Sequence, residues 1–110
     1  MANKYNILGI IPAREGSKRL PGKNTMLIGK KSLLEIAIDS ANKSKYLNRV
    51  ILSTESKKYI NFVKNLNVEV PFIRPCNLAD DNSSTWDVVR HAVDFLIKQE
   101  KWQTDIVVIL

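Results

Sequence analysis

The near-continuous apolar run at residues 5–12 constrains the fold more than any other feature of the sequence. It reads YNILGIIP, which is far shorter than the roughly 20 residues that a membrane-spanning helix needs. Runs of this kind are typical of strands buried on both faces of a parallel sheet. Two further runs, RVILST at residues 49–54 and TDIVVIL at residues 104–110, have the same character. We therefore predict a parallel sheet that contains these three strands.

Amphipathic stretches separate the apolar runs and predict helices. Residues 32–44 place their apolar side chains on one broad helical face. Ser32, with Glu35 three positions later, forms the pattern of a capping box at its start. Residues 55–65 and 84–99 carry apolar stripes of the same period. Three helices are therefore expected between and beside the strands.

A fourth, shorter strand is predicted at residues 68–72. Pro71 cannot donate a hydrogen bond to a sheet ladder, so this strand belongs at a sheet edge. Strands that alternate with helices indicate right-handed crossovers in a parallel sheet. The fold class is therefore α/β, a Rossmann-like parallel sheet flanked by helices, with the first strand near its middle.

Length and charge limit the classes of protein that fit. The chain has 110 residues, a net charge of +6 and a single cysteine, Cys76, which cannot form an internal disulfide and agrees with a reducing, cytoplasmic location. Nucleic-acid and membrane partners are not expected, because residues 14–24 contain no aromatic side chain to interleave with their charges and no apolar run is long enough to span a bilayer. The sequence stops on an apolar strand, so we expect residues 1–110 to be the N-terminal nucleotide-binding part of a single larger domain.

The loop after the first strand gathers positive charge and glycine. It reads AREGSKRLPGKNT over residues 13–25, and its cations are Arg14, Lys18, Arg19 and Lys23. Such a loop can cradle phosphates with backbone N–H groups and neutralise them with Arg and Lys. It is not a P-loop, because five residues separate Gly16 from Gly22 and Asn24 stands where Ser or Thr is required. From these residues alone, a phosphate site and a loop of solvated charges both remain open.

The same loop carries a family resemblance. The stretch IPAREGSKRLPGKN resembles the signature of acylneuraminate cytidylyltransferases, P-A-R-x-x-S-K-x-[LI]-x-x-K-N. The similarity continues in order through VILSTES, VEVPFIRPCNLADDNSSTWDVVRHAV and DIVVIL, and so covers essentially the whole chain. Enzymes that activate the eight-carbon sugar KDO resemble S-x-R-L-P-G-K in this loop, but usually with Pro after the Lys. Asn24 and the R-P-x-x-L-A segment favour the sialic acid branch.

The resemblance implies a fold and a reaction. The fold is that of the nucleotide-diphospho-sugar transferases, whose sheet is mixed in the full-length enzyme. The reaction transfers CMP from CTP to the anomeric hydroxyl of an acylneuraminate, a nine-carbon acidic sugar, and releases pyrophosphate. A cytidylyltransferase for legionaminic acid, pseudaminic acid or KDO remains an alternative, as does a non-catalytic nucleotide-binding fragment.

The resemblance also implies partners that lie outside this stretch. CTP and the acidic sugar are the expected small-molecule partners, and Mg²⁺ is the expected cofactor. Its Asp ligands, the residues that bind the sugar and the segment that builds a homodimer are all expected beyond Leu110. Little or no turnover is therefore expected of these 110 residues alone.

Roles in the charged loop follow from the resemblance. Arg14, Ser17 and Lys23 are assigned to the triphosphate, and Lys18 is placed with them. Arg14 or Lys23 would act catalytically by offsetting charge at the reacting phosphoryl group. Asn24 is expected to help hold the nucleotide.

Roles later in the chain also follow from the resemblance. Arg74 would read the cytosine ring, with a salt bridge to Asp80 or Asp81 as the alternative. Ser84 and Thr85 would lie near the nucleotide, although both also suit a helix N-cap.

Metal binding is not predicted for any residue of the chain. The Asp80–Asp81 pair resembles a metal site in composition, but carboxylates before a helix also favour its N-terminal dipole. His91 lies within an amphipathic helix and has no Cys or second His at ligand spacing, so we predict a partly buried structural histidine.

Overall fold

A computed structural model describes residues 4–14, 27–28, 31–78 and 84–110. The strands in these residues are β1 (Ile7–Pro12), β2 (Leu27–Ile28), β3 (Lys31–Ser32), β4 (Arg49–Ser53) and β5 (Ile106–Ile109). The α-helices of the described residues are α1 (Leu33–Asn42), α2 (Lys57–Phe62) and α3 (Thr85–Glu100), and a 3₁₀ turn spans Cys76–Leu78. No helix in the described residues is long and apolar enough to cross a membrane.

The main sheet has β1 at its centre. β4 pairs with β1 on one side and β5 on the other, and both pairings are parallel. The register runs from Leu8↔Arg49 to Pro12↔Ser53 on the first side. The predicted parallel sheet, with the first strand in its middle, is therefore confirmed.

Alternate residues of β1 enter two separate hydrophobic clusters. Leu8 and Ile10 face the cluster that α3 covers, whereas Ile11 faces the cluster that α1 and α2 cover. The α3 side consists of Leu8, Ile10, Ile51, Phe72, Val89, Ala92 and Leu96. The other side consists of Ile11, Ala13, Leu34, Ile38, Leu52, Tyr59 and Val63. The central strand is thus buried on both faces, as its composition predicts.

Serine caps fix where the helices begin. Ser32 Oγ accepts from the Glu35 N–H at 3.1 Å, and the Glu35 carboxylate accepts from the Ser32 N–H at 3.3 Å, so the predicted capping box is present. Ser84 and Asp87 form a second capping box at the start of α3. α1 is shorter than predicted, ending at Asn42.

α2 is also shorter than the predicted helix at residues 55–65. Thr54 Oγ1 accepts from the Ser56 N–H at 3.1 Å, and Ser56 Oγ in turn caps the helix by accepting from the Tyr59 N–H. These two bonds hold the chain in a turn, so that the helix begins at Lys57. Glu55 therefore stays at the end of β4 and outside the helix.

The predicted edge strand at residues 68–72 is only a single bridge. Glu69 pairs with Ile51 in parallel, with the Leu52 N–H donating to the Glu69 carbonyl at 2.8 Å. The predicted position beside β4 is correct, but the ladder does not continue because Pro71 has no N–H to donate.

β5 differs from its prediction as a buried strand. Ile106 and Ile109 are 43% and 48% exposed. β5 is an edge strand of the described sheet: it pairs with β1, and Val107 packs against the α3 side of the core. Its apolar residues predict a strand correctly, whereas the burial of that strand depends on which other elements pack against it.

A small hairpin was not predicted. β2 and β3 pair antiparallel, with Leu27 opposite Ser32 and Ile28 opposite Lys31. Each strand has two residues, which is too short to show the alternation on which a strand prediction depends. The hairpin leads directly into α1.

Candidate functional site

The carboxyl ends of β1 and β4 lie side by side and form the edge at which α/β sheets bind ligands. The backbones are joined just beyond the strands, because the Ala13 N–H donates to the Ser53 carbonyl at 3.0 Å. Arg14 follows immediately and is partly exposed at this edge. Ser53 and Thr54, at the end of β4, are fully buried polar residues. The first predicted phosphate ligand therefore lies at the expected edge of the sheet.

Arg74 reaches the same edge from the segment that follows Glu69, the residue that pairs with Ile51 of β4. It is only 4% exposed. Its Nε donates to Ser53 Oγ at 3.1 Å, its Nη2 to the Ser53 carbonyl at 2.6 Å, and its Nη1 to the Leu78 carbonyl at 3.2 Å. Its backbone N–H donates to the Thr54 carbonyl at 2.9 Å. Both its backbone and its guanidinium are thus attached to the end of β4.

Charges around Arg74 show that the structure brings the two predicted arginines together. Burial lowers the pKa of the Arg74 guanidinium, the Glu55 carboxylate raises it, and the positive charge of Arg14 lowers it further. An arginine remains protonated even so, because its guanidinium is not deprotonated in proteins. The Arg14 and Arg74 guanidiniums therefore lie within electrostatic reach of each other, and the Glu55 carboxylate lies within reach of Arg74.

His91 extends this cluster from α3. Its ring packs edge-on against Phe72, with centroids 4.6 Å apart, and its buried Nδ1 has no hydrogen-bond partner among the described residues. Burial lowers the pKa of His91, the charge of Arg74 lowers it further, and Asp94 opposes both. The predicted partly buried histidine is confirmed, and it lies within electrostatic reach of Arg74, which the sequence did not indicate.

Ser84 and Thr85 lie at the start of α3. Ser84 is the N-cap, and its Oγ accepts from the Asp87 N–H at 3.1 Å, which confirms the capping role. Thr85 borders an apolar groove of about 370 Å³ between α3 and β5, together with Trp86, Val89, Val107 and Ile109. Their contact with a nucleotide stays a prediction.

Other predicted site residues lie outside the described part of the chain. These are Ser17, Lys18, Lys23 and Asn24 in the charged loop, and Asp80 and Asp81, the alternative partners of Arg74. Their roles stay predictions. Among residues 4–14, 27–28, 31–78 and 84–110, no group of three or more His, Cys, Asp or Glu side chains could hold a metal ion.

Sequence reasoning gave no role to the residues that organise this edge. Ser53 accepts hydrogen bonds from both Ala13 and Arg74, and Glu55 supplies the counter-charge. A signal was available, because the letters STE follow a buried apolar run directly, where a parallel strand presents polar residues to a ligand.

Comparison with protein families and known relatives gives consistent matches. A sequence profile described as cytidylyltransferase matches residues 8–106. A CMP-N,N'-diacetyllegionaminic acid synthase of Legionella pneumophila is 41% identical over 92 residues, which are 84% of this chain and 38% of that protein. A pseudaminic acid cytidylyltransferase of Campylobacter jejuni is 37% identical over 86% of this chain and 40% of its own length. An N-acylneuraminate cytidylyltransferase of Escherichia coli is 33% identical over 90% of this chain and 23% of its own length.

A solved structure matches the fold as well. The CMP:2-keto-3-deoxy-manno-octonic acid synthetase complexed with CTP superposes with a TM-score of 0.73 and 26% identity, over 96% of this chain and 39% of that one. The chain therefore spans about two fifths or less of the length of these relatives.

Proposed function

The chain belongs to the cytidylyltransferase family, and from this membership we propose that the protein transfers CMP from CTP to the anomeric hydroxyl of an acylneuraminate, with release of pyrophosphate. The observation that carries the proposal is the convergence of Arg14 and Arg74 on the carboxyl edge of β1 and β4. Two neighbouring cations at that edge suit a ligand that brings several negative charges, and a nucleoside triphosphate does so.

The phosphates are assigned to the loop after β1. Arg14 binds a phosphate oxygen, and Lys23, Lys18 and Ser17 contribute the remaining charge and a hydroxyl donor. Asn24 helps to hold the nucleotide, as do Ser84 and Thr85 from the start of α3.

The base is assigned to Arg74. Three of its five N–H groups donate to protein oxygens, and one on Nη1 and one on Nη2 have no acceptor among the residues that the structure describes. Cytosine presents two neighbouring acceptors, O2 and N3, whereas uracil carries a proton on N3. Two donors on one guanidinium therefore favour cytosine over uracil.

In the reaction, the anomeric oxygen of the sugar bonds to the α-phosphorus of CTP. The bond from that phosphorus to the bridging oxygen breaks, pyrophosphate leaves with the electron pair, and the hydroxyl proton is released to solvent. Negative charge on the phosphate oxygens increases in the transition state, so Arg14 and Lys23 contribute by stabilising it.

The acceptor sugar has a second candidate. The relative named for legionaminic acid is 41% identical to this chain, against 33% for the relative named for N-acylneuraminate. Pyrophosphate release measured with CTP and a panel of acylneuraminate, legionaminic acid, pseudaminic acid and KDO would identify the acceptor by its kcat/KM.

The remaining components belong to the complete protein. We propose that it works in the cytoplasm as a homodimer and uses Mg²⁺, which would neutralise the triphosphate. The described residues offer no donor set for that ion. Residues 1–110 alone are expected to show little turnover.

A nucleotide-binding screen tests the proposal. We expect CTP to bind more tightly than UTP, ATP or GTP, and Arg14→Ala or Lys23→Ala to weaken CTP binding by about tenfold or more, the value of a lost charge-assisted hydrogen bond. Lys43→Ala is the matched control, because it removes the same charge from an exposed position after α1. Equal affinity for all four nucleotides, or equal losses in the control, would refute the assignment.

A further inference from the structure

Ser53 is a polar residue that the fold buries completely. It is the last residue of β4, and none of its surface is exposed. Burying a hydroxyl is unfavourable unless it makes a hydrogen bond. The Ser53 hydroxyl makes one by accepting from Arg74 Nε at 3.1 Å.

The contact between Ser53 and Arg74 has two points. The Ser53 carbonyl accepts from Arg74 Nη2 at 2.6 Å, while the hydroxyl accepts from Nε. Nε and Nη2 lie on one edge of the planar guanidinium, so two acceptors from a single residue fix the plane of the group as well as its position. The same carbonyl also accepts from the Ala13 N–H, next to Arg14.

Electrostatics make such a restraint necessary. Arg74 is buried, and both its burial and the neighbouring charge of Arg14 disfavour the cation, as the lowered pKa of Arg74 shows. A guanidinium without directional contacts would reduce this repulsion by turning away from Arg14. Ser53 and the Leu78 carbonyl supply those contacts.

We propose that Ser53 is a positioning residue of the nucleotide site, whose hydroxyl and carbonyl orient the Arg74 guanidinium so that its two remaining N–H groups face the bound base. The inference rests on the proposed function for the identity of the ligand. It adds a residue that does not touch the nucleotide and acts on nucleotide affinity through Arg74.

Ser53→Ala tests this role by removing the hydroxyl and leaving the carbonyl. We expect the affinity for CTP, measured by calorimetry on the protein well below its unfolding temperature, to fall by about tenfold, because one of the two points that fix the guanidinium is lost. Ser56→Ala is the matched control: it also removes a buried serine hydroxyl that accepts a hydrogen bond, but one that caps α2. We expect Ser56→Ala to lower stability and leave CTP affinity unchanged.

A double-mutant cycle separates positioning from a general loss of structure. Arg74→Lys keeps the charge but lacks the fork of donors that Ser53 orients. If Ser53 acts through Arg74, adding Ser53→Ala to Arg74→Lys should not weaken CTP binding further. An equal loss in both backgrounds, or an unchanged affinity in Ser53→Ala alone, would overturn the inference while leaving the proposed function standing.

A spectroscopic measurement on the unmodified protein covers the case in which Ser53→Ala does not fold. We expect the Arg74 Nε–H to give a slowly exchanging ¹⁵N-correlated NMR signal, both before and after CTP is added. A rapidly exchanging Arg74 signal would overturn the inference without any variant. If the unmodified protein bound no cytidine nucleotide, both the proposed function and the inference would be refuted. This result differs from the outcomes above, which refute the role of Ser53 alone.

Discussion

At the scale of single residues, the site is defined by two arginines, Arg14 and Arg74, at the carboxyl edge of β1 and β4. Arg74 is held by two carbonyls and a hydroxyl, all of them neutral, and the Glu55 carboxylate offsets its charge from nearby. Arg14 adds a second positive charge. Positive charge at this edge suits an anionic ligand, and contact with a phosphate stays a prediction.

His91 provides a pH prediction, because it is the single histidine of the chain. Burial and the charge of Arg74 hold its pKa below the ordinary value of 6.5, against the opposing effect of Asp94. The unfolded state therefore binds more protons than the native state as the pH falls below about 6.5. We expect the free energy of unfolding to be highest above that pH and to decrease between pH 6.5 and about 5.5.

Denaturation in urea at a series of pH values measures this effect. His91→Gln, which cannot be protonated, is the control and should remove the slope between pH 5.5 and 6.5. Ordinary carboxylates titrate below this window, near pH 4, so they interfere little. Identical slopes in the two proteins would show that the histidine is not protected from protonation in the native state.

At the scale of elements, β4 is organised by an arginine at each end. Arg74 is attached to its carboxyl end, and Arg49 lies at its start. Arg49 forms ion pairs with Glu69 in the edge segment and with Glu100 at the end of α3, and lies 5.1 Å from the ring centroid of Trp102. The pairing with Glu69, the largest effect, and that with Glu100 together raise the pKa of Arg49 despite its partial burial. Through Arg49, β4 is thus joined to the end of α3 and to the edge segment that contains Glu69.

Arg49→Met tests the importance of that junction. The variant keeps much of the apolar stem but loses two ion pairs and the contact with Trp102. Because Glu69 and Glu100 are partly exposed and therefore screened, we expect a loss of about 1–2 kcal/mol in the free energy of unfolding. Arg90→Met is the control, because Arg90 is exposed and lies 5.8 Å from the centroid of the largely exposed Trp86.

We expect the Arg90 variant to lose less than about 0.5 kcal/mol, as is usual for surface positions. Both values come from denaturant unfolding with comparison of the m-values. Equal small losses for the two variants would mean that the junction at the start of β4 contributes nothing measurable.

At the scale of the whole molecule, burial decreases across the sheet from β1 to β5. Ile10 of β1 and Ile109 of β5 are register partners in the parallel pairing. Ile10 is fully buried, whereas Ile109 is 48% exposed. The α3 side of the core therefore ends near Val107, and an apolar groove remains beside it.

This register pair supplies a test of the burial gradient. Ile10→Ala should lower the free energy of unfolding by about 2–5 kcal/mol, because it leaves a cavity in a packed core. Ile109→Ala makes the same chemical change and should lower it by less than about 1 kcal/mol, because much of the side chain already contacts water. A loss for Ile109→Ala as large as that for Ile10→Ala would show that β5 is covered in solution.

The sequence predicts much of the fold because its main elements have local signals. The runs at β1 and β4 are buried and parallel as predicted, and the Ser32 capping box is present. The prediction was wrong for the edge segment at residues 68–72, where a single bridge forms, and for the buried state of β5. The first error reflects Pro71, which lies in the segment itself and ends the ladder. The second concerns what lies beside β5, which the residues of β5 do not specify.

In the site, too, some features follow from the sequence and others only from the tertiary structure. Arg14 lies at the predicted edge of the sheet because a loop after a buried parallel strand must emerge there. The sequence also indicated Arg74, though through a family resemblance and not through any local physical signal. Neither route revealed that Ser53 would orient Arg74, or that His91 would lie near enough for the charge of Arg74 to lower its pKa.

The sequence by itself thus determined the order of β1, the three helices, β4 and β5, the caps that begin α1 and α3, and a cationic loop beyond the first strand. These features depend on neighbours within a few residues, where periodicity and hydrogen-bonding chemistry suffice. Tertiary structure alone decided that residues 21 positions apart, Ser53 and Arg74, would share two hydrogen bonds, and that Arg14 would lie beside them. Contacts of this kind exist only after the strands have paired and the segment after α2 has folded back against the end of β4.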